Sequence, residues 1–287
     1  MILAVASGKG GTGKTTIATN LAVTLARRAE RVCYADCDVE EPNGHIFLKP
    51  DITSRTSIGV PVPKVDMSRC TGCGKCGEIC QYSAIVCINK KVLTFPELCH
   101  GCGGCSLVCP EGAISEVPRE VGILEEGMAN GVGFIHGRLR VGEAMSPPLI
   151  REVKRRIPED GVTIVDAPPG TSCPVIEAVK GADYVVLVTE PTPFGLNDLE
   201  LAVGMVRQLG LLMGVVINRS DVGDDRVKDY CERESINVLA EISDDRKVAE
   251  AYSRGEMAVD AVPELNRLFE NVFQGVLDGV NGAQAQV

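Results

Sequence analysis

No apolar run in this 287-residue chain approaches the roughly 20 residues needed to cross a bilayer, so no membrane-spanning segment is expected. The opening Met1-Ile2-Leu3-Ala4-Val5-Ala6-Ser7 lacks a basic leader ahead of a longer apolar core, and reads as a buried first strand rather than a secretory signal. Positive charge is in deficit: 29 Lys and Arg against 39 Asp and Glu leave a formal net charge of -10. That field repels phosphate backbones and anionic lipid, so neither nucleic-acid binding nor a stable membrane anchor is expected. Histidine is scarce, with only His45, His100 and His136. What remains is ordinary for a soluble, cytoplasmic globular chain: 45% hydrophobic and 24% charged residues, enough for one large core plus a small insert of about 50 to 60 residues.

Cysteine is abundant. Eight of the 13 fall into two runs, Cys70-x-x-Cys73-x-x-Cys76-x-x-x-Cys80 and Cys99-x-x-Cys102-x-x-Cys105-x-x-x-Cys109-Pro110. Disulfide frameworks have no reason to prefer this spacing, whereas thiolates that ligate metal in a reducing cytosol do. The other five, Cys33, Cys37, Cys87, Cys173 and Cys231, read mostly as small core residues.

Along the chain, Ile2 to Ala6 forms an apolar strand, a glycine-rich turn follows, and Lys14 to Arg28 has helical spacing. Val32 to Asp36 is a second strand, after which Pro42, Gly44 and Pro50 signal irregular chain. From about Val62 to Val117 hydrophobic periodicity is lost while Cys and Gly dominate, bracketed by Pro61, Pro63 and Pro118. Strands resume at Val162 to Asp166, Tyr184 to Thr189 and Leu211 to Asn218, with helical patterns at Leu196 to Leu209 and Arg226 to Arg233. The expected fold is α/β, a doubly wound and mostly parallel sheet in two stretches, residues 1–61 and 118–287, interrupted by a small module at 62–117 beside the strand ends. A last amphipathic pattern from Leu265 to Val276 carries Glu264, Glu270 and Asp278, so it suits a packed core helix better than a basic membrane-surface helix.

Gly8-Lys9-Gly10-Gly11-Thr12-Gly13-Lys14-Thr15, followed by Thr16, satisfies the P-loop pattern between a strand and a helix. Glycines let backbone N–H groups curl around phosphate, Lys14 neutralises the β and γ phosphates, Thr15 binds Mg²⁺, and the helix start adds positive potential. With its early Lys9, the motif resembles the deviant P-loop of the MinD/ParA ATPase superfamily, which includes the arsenite-pump ATPase and the nitrogenase iron protein. That resemblance implies ATP as ligand and a sandwich dimer, with itself or with a related ATPase, in which Lys9 reaches the partner's nucleotide; the plain reading of Lys9 is a solvated loop residue. It further implies that Asp38 orients the attacking water, that Asp36 and Asp166 support Mg²⁺, and that Asn218 and Arg219 sit at the adenine. A strand-end Asp is also a common helix cap, and Asn is common in turns.

Each cysteine run resembles that of bacterial two-cluster ferredoxins, where three cysteines hold one 4Fe-4S cluster and the fourth ligates the other. The resemblance assigns Cys70, Cys73, Cys76 and Cys109 to cluster one, and Cys99, Cys102, Cys105 and Cys80 to cluster two. Gln81 stands where proline usually follows the fourth cysteine, which perturbs that turn. Paired C-x-x-C motifs also bind zinc, although an x2-x2-x3 run suits a cubane better. Cys173, seven positions after Asp166, lies where the nitrogenase iron protein has a cluster ligand; no second cysteine between Pro118 and Asp160 completes such a site, so packing or structure beside the switch is the expectation. Together these features imply an ATP-hydrolysing iron-sulfur protein that couples dimer closure to electron transfer to, or metal-centre assembly on, a redox or metalloprotein acceptor. A MinD/ParA-like spatial switch with structural or redox-sensing clusters is the alternative. An amidotransferase-like ligase ranks last, because no glutaminase cysteine-histidine arrangement is visible.

Overall fold

A computed structural model describes residues 1–285. Strand β1 (Ile2–Ser7) sends Leu3 and Val5 to one side of a sheet and Ala4 and Ala6 to the other, as a strand buried on both faces must. It leads into α1 (Lys14–Arg27), β2 (Val32–Asp36) and the short α2 (Gly44–Leu48). A long strand, β3 (Asp51–Val65), runs out to α3 (Lys75–Ile79), the hairpin β4 (Ile85–Ile88) and β5 (Lys91–Thr94), and α4 (Gly104–Leu107). The chain returns along β6 (Ile114–Ala129) and turns back as β7 (Val132–Leu139). Then follow α5 (Pro147–Arg155), β8 (Val162–Pro169), α6 (Cys173–Val179), β9 (Tyr184–Thr189), α7 (Pro193–Gln208), β10 (Met213–Asn218), α8 (Arg226–Arg233) and β11 (Asn237–Ile242), and finally α9 (Arg246–Ser253), α10 (Ala258–Ala261) and α11 (Glu264–Gln284).

The nine-stranded sheet has the order β11-β10-β9-β1-β8-β2-β7-β6-β3. From β11 to β7 all neighbours are parallel; β6 and β3 add an antiparallel edge. Side chains of α5, α6, α7 and α8 close one face, while α1, α2, α10 and α11 close the other. The last of these buries Phe269, Val272 and Val276, so it is a core helix. Among the described residues, no helix is long and apolar enough to cross a membrane.

Several stretches differ from the expectation. Residues 51–65, which the prolines mark as irregular, form β3, and Pro61, Pro63 and Pro118 lie inside the β3–β6 ribbon, Pro61 directly opposite Pro118. Because β3 is the edge of the sheet, a missing N–H on its open side leaves no ladder bond unmade. Strands β6, β7 and β11 carry no period strong enough to be foreseen, and α7 begins at Pro193, earlier than its apolar pattern, because the Thr192 hydroxyl accepts a 3.0 Å bond from the Gly195 N–H.

Strand direction decides where the cysteines go. β3 runs in the same sense as β7 and β2, so its end at Val65 leaves from the same sheet edge as Asp36 and the loop after β1. β6 pairs with β7 only from Gly122 onward. Residues 114–120 therefore pair with β3 alone, a two-stranded stalk about 23 Å long, with residues 66–113 at its tip.

Candidate functional site

The loop after β1 brings its own polar groups inward. Gly13 caps α1 in the left-handed region with φ 90°, and a Cβ there would meet the Asn218 amide nitrogen at 2.4 Å. A Cβ on Gly8 would collide with the Asp198 carbonyl of α7 at 2.2 Å, so this position also admits only glycine. Among the described contacts no side chain caps α1, which leaves its first N–H groups and the positive helix end facing the loop. The Thr12 hydroxyl is buried without a partner. A cradle with unspent donors and an orphaned hydroxyl fits an oxyanion such as phosphate.

Lys14 is buried, and its Nζ donates to Asp166 Oδ1 at 2.5 Å. Asp166 also accepts from the Tyr34 hydroxyl at 2.8 Å. Asp36, its register partner on β2, is fully buried and accepts from the backbone N–H groups of Asp38, 3.1 Å, and Gly44, 3.0 Å. Burial pushes the Asp36 carboxyl well above the usual range, and the charge of Asp166 adds to the shift. Burial also raises Asp38 to about 6, against the pull of Lys14. Lys14 loses charge stability to burial but regains more from Asp166, so it stays protonated. Three carboxylates around one ammonium make a site short of positive charge, which suits a divalent cation accompanying phosphate. Thr15 and Thr16 open the same helix half-buried.

Asn218, at the end of β10, donates its amide to the Thr12 carbonyl at 2.8 Å, and Arg219 adopts φ 51° beside it. Glu190, just past β9, was not anticipated. It lies 3.7 Å from Lys9 Nζ and accepts from Arg219 Nη1 at 2.9 Å, joining residues 210 positions apart. An acid immediately after an apolar strand was its only signal. Tyr34 was missed because inside a buried strand it reads as packing.

The cysteines form two groups. Cys70, Cys73, Cys76 and Cys109 line one cavity, and Cys80, Cys99, Cys102 and Cys105 another. Each group thus takes three sulfurs from one run and one from the other. The two runs repeat the same backbone: Gly72 and Gly74 have φ 68° and 86°, Gly101 and Gly103 have 66° and 71°, and each second glycine caps a short helix holding Cys76 or Cys105. The Cys80 thiol is pushed up by burial but lowered further by the N–H groups of Ile85, Tyr82, Ala84 and Ser83. Ala113 N–H points at the Cys109 sulfur at 3.3 Å. Among the described residues no three His, Cys, Asp or Glu side chains converge on a point that would hold a single ion. Cys33, Cys37 and Cys231 are buried, Cys87 is half-buried and Cys173 is exposed at the start of α6, beside the Asp166 strand end rather than in the core. His100 is exposed and stacks on Tyr82 at 3.5 Å; His136 is buried on Glu125 at 2.7 Å.

A parallel sheet with a phosphate cradle between its first strand and helix defines a P-loop nucleotide-binding protein. Residues 3–259 match the CobQ/CobB/MinD/ParA nucleotide binding domain, and the chain belongs to that family. An uncharacterised protein of Methanocaldococcus jannaschii is 30% identical over 260 residues, covering 89% of this chain and 90% of the relative. An iron-sulfur cluster carrier protein of Aquifex aeolicus is 24% identical over 92% of this chain and 63% of its own length. The septum site-determining protein MinD of Pyrococcus horikoshii, solved with Mg-ADP, has the same fold with a TM-score of 0.60 at 20% identity, covering 100% of this chain and 99% of that one.

Proposed function

We propose that this chain is an ATPase that carries two 4Fe-4S clusters, and that it couples nucleotide-driven dimer closure to electron transfer to, or metal-centre assembly on, an acceptor protein. The observation that carries the reading is the crossed partition of the eight cysteines, three from one run and one from the other around each cavity, because interleaved runs of this kind hold paired cubanes. A zinc ion would draw four sulfurs to about 2.3 Å from one point, whereas an x2-x2-x3 run joined by one sulfur of the other run suits a cubane. When bound, the clusters would supply one-electron chemistry, held by Cys70, Cys73, Cys76 and Cys109, and by Cys99, Cys102, Cys105 and Cys80. In this reading residues 62–117 are a two-cluster ferredoxin-like insert, and 1–61 with 118–287 are the ATPase, working in the reducing cytoplasm.

For the nucleotide, Gly8, Gly10, Gly11, Thr12 and Gly13 offer backbone donors to phosphate, and Lys14 moves from Asp166 onto the phosphate oxygens. Thr15, Asp36 and Asp166 would hold Mg²⁺, which supplies charge neutralisation, with Thr16 beside them. Asp38 orients water, Asn218 and Arg219 read the base, and Lys9 leaves Glu190 to reach the partner's nucleotide. Membership in a family that includes MinD keeps a spatial-organisation switch as the second reading; the burial of the apolar face of α11 counts against a membrane-bound version.

The test is anaerobic purification with iron and sulfide analysis beside an ATPase assay. About eight irons and eight sulfides per chain are expected, with Mg²⁺-dependent ATP hydrolysis. Zinc without sulfide would sink the reading.

A further inference from the structure

The base of the stalk is tied to the segment after Asp38 by one turn, residues 139–146. The Leu139 N–H donates to the Val39 carbonyl at 2.8 Å, and the next N–H, of Arg140, donates to the Val121 carbonyl in β6 at 2.9 Å. The Ser146 hydroxyl donates to Glu40 Oε1 at 2.9 Å. Between these anchors Glu143, its side chain only 1% exposed, grips Arg119 of the stalk with both oxygens: Nη1 bonds Oε2, and Nη2 bonds Oε1 at 3.2 Å.

Arg119 pairs with Val60, and the neighbouring pair is Pro61 with Pro118. Pro61 is where the second sulfur cavity rests on the stalk: its carbonyl lies 4.0 Å from the Cys99 sulfur, and a Cβ on Gly101 would touch its ring at 3.2 Å. The other cavity sits farther out, lined by Val65 and Ile114. Arg119 is stabilised as a cation first by its bond to Glu143, and the charges of Glu97 and Cys99 act on it as well. Its Nε is buried without a partner. A largely buried guanidinium with an unspent donor is thus held by a carboxylate on the ATPase side, one residue pair away from the Pro61 carbonyl that meets the Cys99 sulfur.

We propose that Arg119 is the positioning residue that sets the reduction potential of the cluster held by Cys80, Cys99, Cys102 and Cys105. Glu143, with the 139–146 turn, transmits the nucleotide state to it. This deepens the proposed function and rests on it. Movement of the Asp38–Glu40 segment pulls on Leu139 and Ser146, the turn shifts Glu143, and Arg119 redistributes its charge between Glu143 and the cluster. Reduction adds negative charge, so a freer cation raises the potential and a better neutralised one lowers it.

The experiment is anaerobic redox titration, followed by electron paramagnetic resonance, of full-length cluster-loaded protein with MgADP and with MgATP. Arg119→Gln is expected to lower the potential of that cluster and Glu143→Gln to raise it, the outer cluster moving much less. Arg119→Lys, which keeps the charge, stays nearer the unmodified value, and it carries the test with Glu143→Gln if Arg119→Gln loses iron. Ser146→Ala keeps the resting potential but narrows the difference between MgADP and MgATP. Shifts of the same sign in Arg119→Gln and Glu143→Gln, equal shifts of both clusters, or a nucleotide-independent potential in the unmodified chain overturn the proposal. Iron and sulfide counts on the same samples separate that outcome from failure of the cluster reading, which would leave no iron to titrate.

Discussion

At Asp38, three influences compete within one pocket: burial favours the protonated acid, Lys14 favours the carboxylate and Asp166 opposes it. Its value of about 6 lies above that of the unfolded chain. Between about pH 4 and pH 6 the folded chain keeps a proton that the unfolded chain has released, so this group's contribution to stability falls as pH rises across the window. Hydrolysis should run the other way, rising through about pH 6 as the carboxylate forms, and Asp38→Asn should abolish that limb of the pH–rate profile. Lys14→Ala removes a charged donor worth about 1.5–3 kcal/mol per bond, so nucleotide affinity should fall about 10- to 150-fold in calorimetry. Lys9→Ala should instead spare affinity and impair turnover, because Lys9 rests on Glu190 rather than in the cradle. Equal, unaltered turnover in both variants would contradict the division of roles.

At the scale of elements, the two cysteine runs share backbone geometry but exchange their last cysteines between the two cavities. Cys109→Ala should therefore damage the cluster of Cys70, Cys73 and Cys76, and Cys80→Ala that of Cys99, Cys102 and Cys105. Mössbauer or resonance spectra of the two variants read this directly; damage confined to a variant's own run would refute the crossing. The stalk was not legible in the sequence. Pro61 and Pro63 read as breakers because local rules do not know that β3 is an edge strand, and β6 and β7 alternate too weakly for their pairing to show before the chain is folded. By contrast β2, β9 and α8 lie at the residues their patterns mark, since a buried strand or amphipathic helix announces itself locally.

At the scale of the whole molecule, the net charge of -10 acts on any polyanion that approaches. In about 0.15 M salt the protein should show no retention on nonspecific duplex DNA, with or without MgATP, because a surface with net negative charge has few cations to release the counterions of the phosphate backbone. ATP-dependent retention in a gel-shift assay would favour the spatial-switch reading over the electron-transfer one.

The sequence by itself determined the phosphate cradle and the two cysteine runs, because both depend on short spacings that backbone geometry enforces whatever surrounds them. Tertiary structure alone decided that Tyr34 and Lys14 meet on Asp166, that Glu190 gathers Lys9 and Arg219, and that Glu143 reaches Arg119. Those contacts join residues far apart in the chain, and what brings them together is the strand order of the sheet, which no local pattern encodes.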